Sequence, residues 1–512
     1  MKSVIDLWMT RLSYFYLVLP FFLFTAFWLN LYAALSGSLI ILASFIFAVR
    51  LIEARQFIEI RRSTVFWTLL IMAVVVFYSG VGSYTYQNDD HLYRNAIFRD
   101  LVLKDWPVLY KIEGFEGHPL NGKTTMMTYY IGFFLPAALV GKLFGFEAGR
   151  FFLYFWTVLG ILLVLFQTAR YLNRFSFKVV LIFFAWGTLF FVGSLIKYPL
   201  EKFGEEGYYL WTGVRLYANS NIGSLYWIFN QAITGWLIML LILNKADRKN
   251  MFFLYSLCLF LSPFCFAGFL PFILYFVITD LVKGGGLKDL VSKYLSFQNI
   301  IGALTIVVIS YLYLSNNPSG RTFRYYPFES FKVMAAFMVL SWGIIAVILF
   351  PKFYKEPLYW LSILILVPLP FFQQGPGPDF PARISMPAFF ILMLFAMKLV
   401  LFKKNSISRL LMIGYLLVAG VAHFTFEVGR SVYETTYANL SYRTNLDQVL
   451  MNSDKEEFRK IGEDLKSIKH EDVLTKDYGT LSNPENPIIS NYMSDTEISL
   501  FYKYLAKKEK NR

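Results

Sequence analysis

The sequence predicts an all-α fold: a polytopic bundle of about thirteen transmembrane helices, with a large first outer loop and a small polar C-terminal tail. Three observations predict it. Of the 512 residues, 57% are hydrophobic and only 16% charged, whereas a soluble globular chain carries about 25% charged residues. A soluble core of this size could not hide so much apolar surface. The apolar residues also gather into runs that cross or nearly cross a bilayer. A backbone in lipid must satisfy its own hydrogen bonds, which makes each run a helix. Lysine and arginine, finally, crowd into short loops between the runs, the bias that orients helices in a membrane.

In chain order the runs fall at about residues 13–31, 33–50, 65–82, 128–145, 150–169, 178–197, 224–243, 251–282, 298–314, 331–350, 357–372, 384–401 and 408–424. Several are shorter than the ~20 residues of an upright span. The first follows Lys2 and Arg11, and its apolar stretch from Leu12 to Leu29 exceeds the about 7–15 residues of a signal-peptide core. An uncleaved first span is therefore expected. The run 251–282 is interrupted at Ser262-Pro263, which predicts two short helices turning there. Its Cys258 and Cys265 lie seven apart on one helical face and read as core filling, not as a disulfide framework. The 34 Tyr and 11 Trp suit the two membrane–water interfaces. Beyond Phe424 the composition turns polar, with clusters such as Lys455-Glu456-Glu457. The chain thus divides into a helical hairpin with a basic cytoplasmic loop (1–64), a transmembrane domain (65–424) holding the outer loop 83–127, and a polar extracytoplasmic tail (425–512).

Arg50, Arg55, Arg61 and Arg62 assign the loop 50–62 to the cytoplasm, together with the N-terminus. The basic loops 245–249, 283–293, 352–355 and 403–409 join it, and the opposite side receives 83–127, 198–223, 315–330, 373–383 and the tail. Arg170, Arg174 and Lys178 also belong on the basic side, which requires 128–169 to cross an odd number of times. Two hydrophobic helices occupy that stretch, so one of them, 128–145 with its internal Pro136, is expected to be re-entrant or to lie along the interface. A net charge of +14 would point to nucleic acid in a soluble protein. Here it reflects the cytoplasmic loops and sites for anionic head groups, with membrane lipid and not nucleic acid as partner. Compact loops and the lack of a eukaryotic targeting signal favour a bacterial inner membrane.

Chemistry-bearing residues collect on the outer side. Asp89 and Asp90 follow the third run directly. Adjacent carboxylates at a membrane surface repel, so one titrates upward unless a cation bridges them. Such a carboxylate can act as general base toward a hydroxyl, or the pair can help hold a divalent ion, Mg2+ or Mn2+, through oxygen ligands. If the segment is helical, Asp90 and Arg94 share a face and pair. The same acids would serve as an N-cap and its first-turn acid, but the density of polar groups around them favours chemistry. His91, Arg94, His118 and Lys123 lie in this loop, Asn230 and Gln231 near the start of a span, Arg321 and Arg324 in 315–330, and Asp379 and Arg383 in 373–383. Guanidinium forks suit phosphate, so Arg321, Arg324 and Arg383 with Lys123 form a candidate phosphate or pyrophosphate site, and His91, Arg94, His118, Asn230, Gln231 and Asp379 are further candidates for binding substrate. The plainer alternative is local ion pairs and head-group anchors. With four His in the chain, no His-rich metal site can be built. Gly284-Gly285-Gly286 lacks the preceding strand of a phosphate-binding fingerprint and reads as a linker.

Taken together, these features resemble the GT-C superfamily of membrane glycosyltransferases. The resemblance rests on the acidic pair Asp89-Asp90 in an outer loop after an early span, and on the passage from His118-Pro119-Leu120 into Tyr129-Tyr130 and the helix through Gly145. It rests also on the joint Glu147-Ala148-Gly149-Arg150, the helix ending Arg170-Tyr171-Leu172-Asn173-Arg174, and further polar outer loops. It covers about the first 250 residues in style. Two spans before the helix that leads into the acidic loop depart from simple members, and the large soluble outer domain of oligosaccharyl or protein mannosyl enzymes is not seen in the sequence.

The resemblance implies a sugar taken from a polyprenyl-phosphate carrier on the outer face, with Asp89 or Asp90 as base. The small tail favours a glycolipid or surface polysaccharide acceptor over a folded protein. Arg321, Arg324 or Arg383 would stabilise the departing phosphate. The tail segment Ser499–Lys507, aromatic and basic, reads as an amphipathic surface helix, with a strap folded over the site as the alternative. A polysaccharide polymerase or ligase is the rival enzyme. A lipid or oligosaccharide transporter is the rival of another class, disfavoured because the spans are nearly free of charge and no matching halves are visible.

Overall fold

The computed structural model describes residues 2–53, 62–88, 90–113, 119–197, 220–244, 247–283, 286–317, 323–374, 379–403, 405–444, 481 and 492–508. Among these the chain is mostly helical. Seven helices are long and apolar enough to cross a membrane: Ile5–Trp28, Leu31–Arg50, Phe146–Leu172, Asn221–Leu243, Pro263–Val282, Phe331–Phe353 and Ile407–Tyr437. An eighth follows if Leu287–Tyr294 and Gln298–Leu314, which meet at 76°, count as one broken span. Shorter apolar helices cover Arg62–Phe77, Ile131–Phe144, Pro357–Phe371 and Met386–Phe402. The all-α expectation misses five short strands: β1 (Leu109–Lys111), β2 (Thr124–Met127), β3 (Phe323–Tyr325), β4 (Phe372–Gln374) and β5 (Met493–Asp495). They form an antiparallel β1-β2-β5 sheet and a β3-β4 pair.

A buried polar knot defines one end of the bundle. Arg170 Nε lies 2.9 Å from Asp6 Oδ1, and its Nη1 bonds Asp247, with all three side chains out of solvent. Beside them Asn250 donates to Tyr14 Oη at 3.1 Å and to Ala48 O at 3.0 Å, and accepts from Gln298 Nε2 at 2.9 Å. Five chain segments are thereby tied at one level. Each polar group would be costly there alone and is stable only because it has a partner.

The Phe146–Leu172 helix runs from this knot to the opposite end, where Arg150 Nε and Nη2 donate to Gly82 O and Ser83 O at 2.8 and 2.7 Å. That fixes the behaviour of the helix before it. Leu135–Phe144 has ten residues, about 15 Å of rise against about 30 Å of hydrocarbon. Its Lys142 donates to Lys104 O, and a Cβ on its Gly141 would come within 2.8 Å of Val102. Its C-terminal turn therefore belongs to the Arg150 end, the helix is too short to cross alone, and Pro136 sits in its first turn, where no hydrogen bond is lost. The chain also folds back at Ser262: Tyr255 stacks on Phe266 at 4.2 Å, and Arg248 lies over Phe276 at 4.2 Å.

Two findings change the reading of the C-terminal part. The helix Ile407–Phe424 continues through a π-turn, Thr425–Gly429, into Arg430–Thr444, so the boundary at 424/425 falls inside a helix. Glu427 on that turn is buried, and its carboxylate accepts from Trp227 Nε1 at 3.0 Å and Arg430 Nη2 at 3.2 Å. Farther on, residues 492–508 fold back over the Arg150 end. Strand β5 pairs with β2 in the register Thr125↔Asp495. Phe501 packs against Phe24 and Tyr313 at 5.7 and 5.3 Å. Asn30 N donates to Leu505 O at 2.7 Å, and Lys507 N to Trp28 O at 2.9 Å, closing the tail onto the tip of the first hairpin. The segment Ser499–Lys507 is thus docked on the tip of the first hairpin as a strap, not laid out as the expected surface helix, because Phe501 finds a buried aromatic partner on each side.

Candidate functional site

The loop after Arg62–Phe77 is wound into a polar knot that sets the start of the next helix. Gln87 Nε2 donates to Gly80 O at 2.7 Å, Asn95 Nδ2 to Gln87 Oε1 at 2.8 Å, and Asn88 Nδ2 to Tyr226 O at 3.0 Å. Gly80 holds φ +82°, and an added Cβ there would meet Gln87 at 2.8 Å, so the turn needs glycine. From this knot the helix Asp90–Leu103 begins, with Asp90 in its first turn, where the helix dipole favours an acid.

Asp90 and Arg94 pair at 2.7 Å, four residues apart on one helical face. The Asp90 side chain is 41% exposed and that of Arg94 only 5%. A second short helix, Asp379–Ile384, repeats the device: Asp379, 48% exposed, pairs at 2.5 Å with Arg383, 5% exposed. Between the two stand three phenols. Arg383 Nη1 donates to Tyr130, Tyr129 lies against Tyr130 with ring centres 3.6 Å apart, and Tyr492 of the tail packs on Tyr129 at 5.0 Å and on Tyr93 at 5.5 Å. The two halves share a field: Asp90 acts on Arg383, both arginines act on Tyr129, and Asp90, Arg94 and Asp379 all act on Tyr492. Burial first, and neighbouring phenols second, hold Tyr129 and Tyr492 well above the ordinary phenol range, so both keep their protons and can donate.

The arginines are not saturated. Nε and Nη1 of Arg94 and Nε of Arg383 are buried without a hydrogen-bond partner. A buried donor left unpaired costs about 1–3 kcal/mol. Arg94 lies over the ring of Phe229 at 5.6 Å, and just beyond Phe229 come Asn230 and Gln231. Both amides are fully buried, one turn past the non-helical Ile228 (φ −141°, ψ 35°), and none of their four side-chain N and O atoms has a partner. Gln231 shares its helical face with Gly235. An added Cβ on Gly235 would lie 3.1 Å from Cys265 Sγ, and that thiol reaches Arg383 O at 3.6 Å. The helix that carries the amides thus reaches Arg94 through Phe229, and the Arg383 backbone through Gly235 and Cys265.

Comparison of the chain with protein-family models, curated proteins and solved structures finds no match in any of the three. Unpaired guanidinium donors and phenols in a low-dielectric recess favour an anion with several acceptor oxygens, and orphan amides favour a ligand rich in hydroxyls.

The other expected residues take different places. His91 is buried against Phe229 at 5.8 Å, with Nδ1 3.2 Å from Gln87 Nε2. Burial, then the Arg94 charge, holds its pKa down to about 3. It is a neutral part of the knot behind the Asp90 face, not a group facing a ligand. Lys123 pairs with Asp495 at 2.6 Å across the β2-β5 edge, so its charge fastens the tail instead of meeting phosphate. Arg324 donates to Gln373 Oε1 at 2.9 Å within the β3-β4 pair. Asp89, His118 and Arg321 lie outside the described residues. Among the described residues no group of three or more His, Cys, Asp or Glu gathers as a metal site needs, and Asp90 is engaged by Arg94.

Sequence reading passed over Tyr492, which the chain brings from the far end of the tail, and it did not assign Tyr129 and Tyr130 a role. The recurring spacing Asp-x-x-x-Arg at 90–94 and 379–383 was the available signal for the matched pairs.

Proposed function

We propose that this chain is an inverting, GT-C-like membrane glycosyltransferase that moves a sugar from a polyprenyl-phosphate carrier to a glycolipid or surface polysaccharide. The reaction is assigned to the outer face of a bacterial inner membrane, with the bundle crossing about thirteen times. The observation that carries the reading is the pair of Asp–Arg helices facing each other across Tyr129, Tyr130 and Tyr492, with unpaired guanidinium donors between them.

In this reading the carrier phosphate takes the free Nε and Nη1 of Arg94 and Nε of Arg383. Binding there draws Arg94 away from Asp90 and frees that carboxylate. The acceptor hydroxyl gives its proton to Asp90, or to its neighbour Asp89, as its oxygen bonds to the anomeric carbon on the face opposite the phosphate. The bond from that carbon to the phosphate oxygen breaks, and its electron pair stays on the phosphate, where the arginines and phenols stabilise the growing charge. Asn230 and Gln231 offer donors and acceptors to sugar hydroxyls, and the apolar helices next to Phe229 receive the carrier chain.

The test is transfer of labelled sugar from a polyprenyl-phosphate donor to membrane glycolipid by the full chain and by Asp89→Asn, Asp90→Asn and Arg94→Gln. One of the two Asp variants should lose about 100- to 10,000-fold in rate, the range of a lost general base. Arg94→Gln should lose rate more than donor affinity, because the phosphate charge grows in the transition state. Full activity in both Asp variants would end this assignment and return the polymerase, ligase and transporter alternatives to the front.

A further inference from the structure

A second site lies at the Asp6 end of the bundle, far along the first hairpin from Asp90. The helices Lys2–Trp28 and Leu31–Arg50 do not close on each other there. Trp8, Met9, Arg11, Leu12 and Phe15 on the first and Phe45 and Val49 on the second line a cleft of about 440 Å³. Its walls are apolar, and Trp8 and Phe15 are 63% and 43% exposed. In a bundle surrounded by lipid such a cleft takes an acyl chain, and its floor from residue 8 to 15 spans about 10 Å of helix.

What sets this cleft apart from ordinary lipid-facing surface is the charge at its mouth. Phe15 meets Phe45 edge-on at 6.4 Å, so in an antiparallel hairpin Arg11 stands level with Val49, and Arg50 follows as the last residue of its helix. Two guanidinium groups therefore share one depth, where the apolar part of the second helix ends. Arg11 lies over the Trp8 ring at 5.9 Å, and Arg50 over Phe47 at 6.0 Å. Nε of Arg11 is buried with no hydrogen-bond partner, and no carboxylate pairs with Arg11 among the described residues. Arg170 and Arg248, both buried at this end, do face carboxylates: Arg170 those of Asp6 and Asp247, Arg248 that of Asp280 at 4.0 Å. An unpaired arginine at the edge of an apolar cleft calls for a phosphate whose chain enters the cleft.

We propose that the Trp8–Val49 cleft is a binding site for an anionic glycerophospholipid, one acyl chain in the cleft and the phosphate on Arg11, with Arg50 adding attraction. The site is independent of the sugar-transfer reading, lies at the other end of the hairpin, and needs no reaction to be observed.

The test is native mass spectrometry of the full chain released from mixed micelles of phosphatidylglycerol and phosphatidylcholine. The wild type should retain phosphatidylglycerol in preference. Arg11→Gln should weaken that retention about fivefold, the effect of one basic residue near a membrane surface, and leave phosphatidylcholine unchanged. Arg11→Lys should keep most of the preference. Val49→Trp, which fills the cleft but leaves the charge, should displace both lipids. Equal retention of phosphatidylglycerol by wild type and Arg11→Gln would overturn the proposal. So would equal retention of the two lipids by the wild type, or stronger retention of a polyprenyl phosphate added to the mixture. Unchanged thermal unfolding of the variants separates lost lipid from lost fold.

Discussion

At the scale of single residues, the site is built by using some polar groups to hold others in place. His91 illustrates the holding role, and its titration makes that role measurable. An unfolded histidine has a pKa near 6.5, while burial, reinforced by Arg94, brings the folded value down to about 3. Above pH about 6.5 both states carry neutral imidazole, and the contribution is constant. Below it the unfolded chain binds a proton that the folded chain refuses, so stability falls as pH drops from about 6.5 toward about 3, by up to about 1.4 kcal/mol per pH unit. His91→Gln should flatten the acid side of the unfolding midpoint between pH 7 and pH 5, whatever it does to the midpoint itself. An unchanged slope would remove His91 from the acid sensitivity of the knot. Sequence alone made the Asp90–Arg94 pair legible, because a spacing of four is a local property of one helix. It left His91 on the wrong side of that helix, because which face is buried depends on Phe229 and Tyr226 from a distant segment. The partnership of Asp90 with Asp379 and Arg383 was hidden for the same reason.

At the scale of elements, the tail strap completes the site, since Tyr492 reaches the phenol group only when β5 is paired with β2. Two kinds of contact hold the strap, and their magnitudes differ. In the Lys123–Asp495 pair the Lys side chain is 40% exposed, so solvent screens its attraction to the carboxylate. Phe501 is fully buried between Phe24 and Tyr313, and truncating such a ring costs about 3–5 kcal/mol. Phe501→Ala should therefore undock the strap where Lys123→Ala does not. Hydrogen exchange should rise across residues 492–508 in Phe501→Ala while the Phe146–Leu172 helix stays protected, and sugar transfer should fall with it. Retained protection of 492–508 would show the anchor to lie elsewhere. The helices themselves were readable from apolar runs, and the turn at Ser262-Pro263 from its proline. The strands were not, because three or four residues of β structure carry too short a pattern to separate from loop. The continuation of the Ile407 helix past Phe424 escaped notice because the change to polar composition marks the end of an apolar face, not of a helix.

At the scale of the molecule, the bundle has two unlike ends joined by the Phe146–Leu172 helix. Arg170 at one terminus of that helix is locked by Asp6 and Asp247, and Arg150 at the other holds Gly82 and Ser83 beside the candidate site. Removing Arg170 would strand two buried carboxylates, so this lock fixes how the helices Ile5–Trp28 and Phe146–Leu172 meet the turn Asp247–Asn250 before any ligand binds. The same polarity makes the expected orientation testable with two introduced thiols. Lys288 is exposed on the Leu287–Tyr294 helix, whose Lys293 bonds Asp280 at 2.6 Å beside Arg248, at the Asp247 end. Lys503 is exposed on the strap at the opposite end. Cys258 and Cys265 are both buried, so native thiols should react little. In intact cells a membrane-impermeant maleimide should label Lys503→Cys at once and Lys288→Cys only after the membrane is opened. Labelling of both from outside would break the assignment of the ends to opposite faces of the membrane. Labelling in the reverse order would turn the protein over, putting the paired Asp–Arg helices in the cytoplasm and removing the outer-face transfer reaction while leaving the geometry of the site intact.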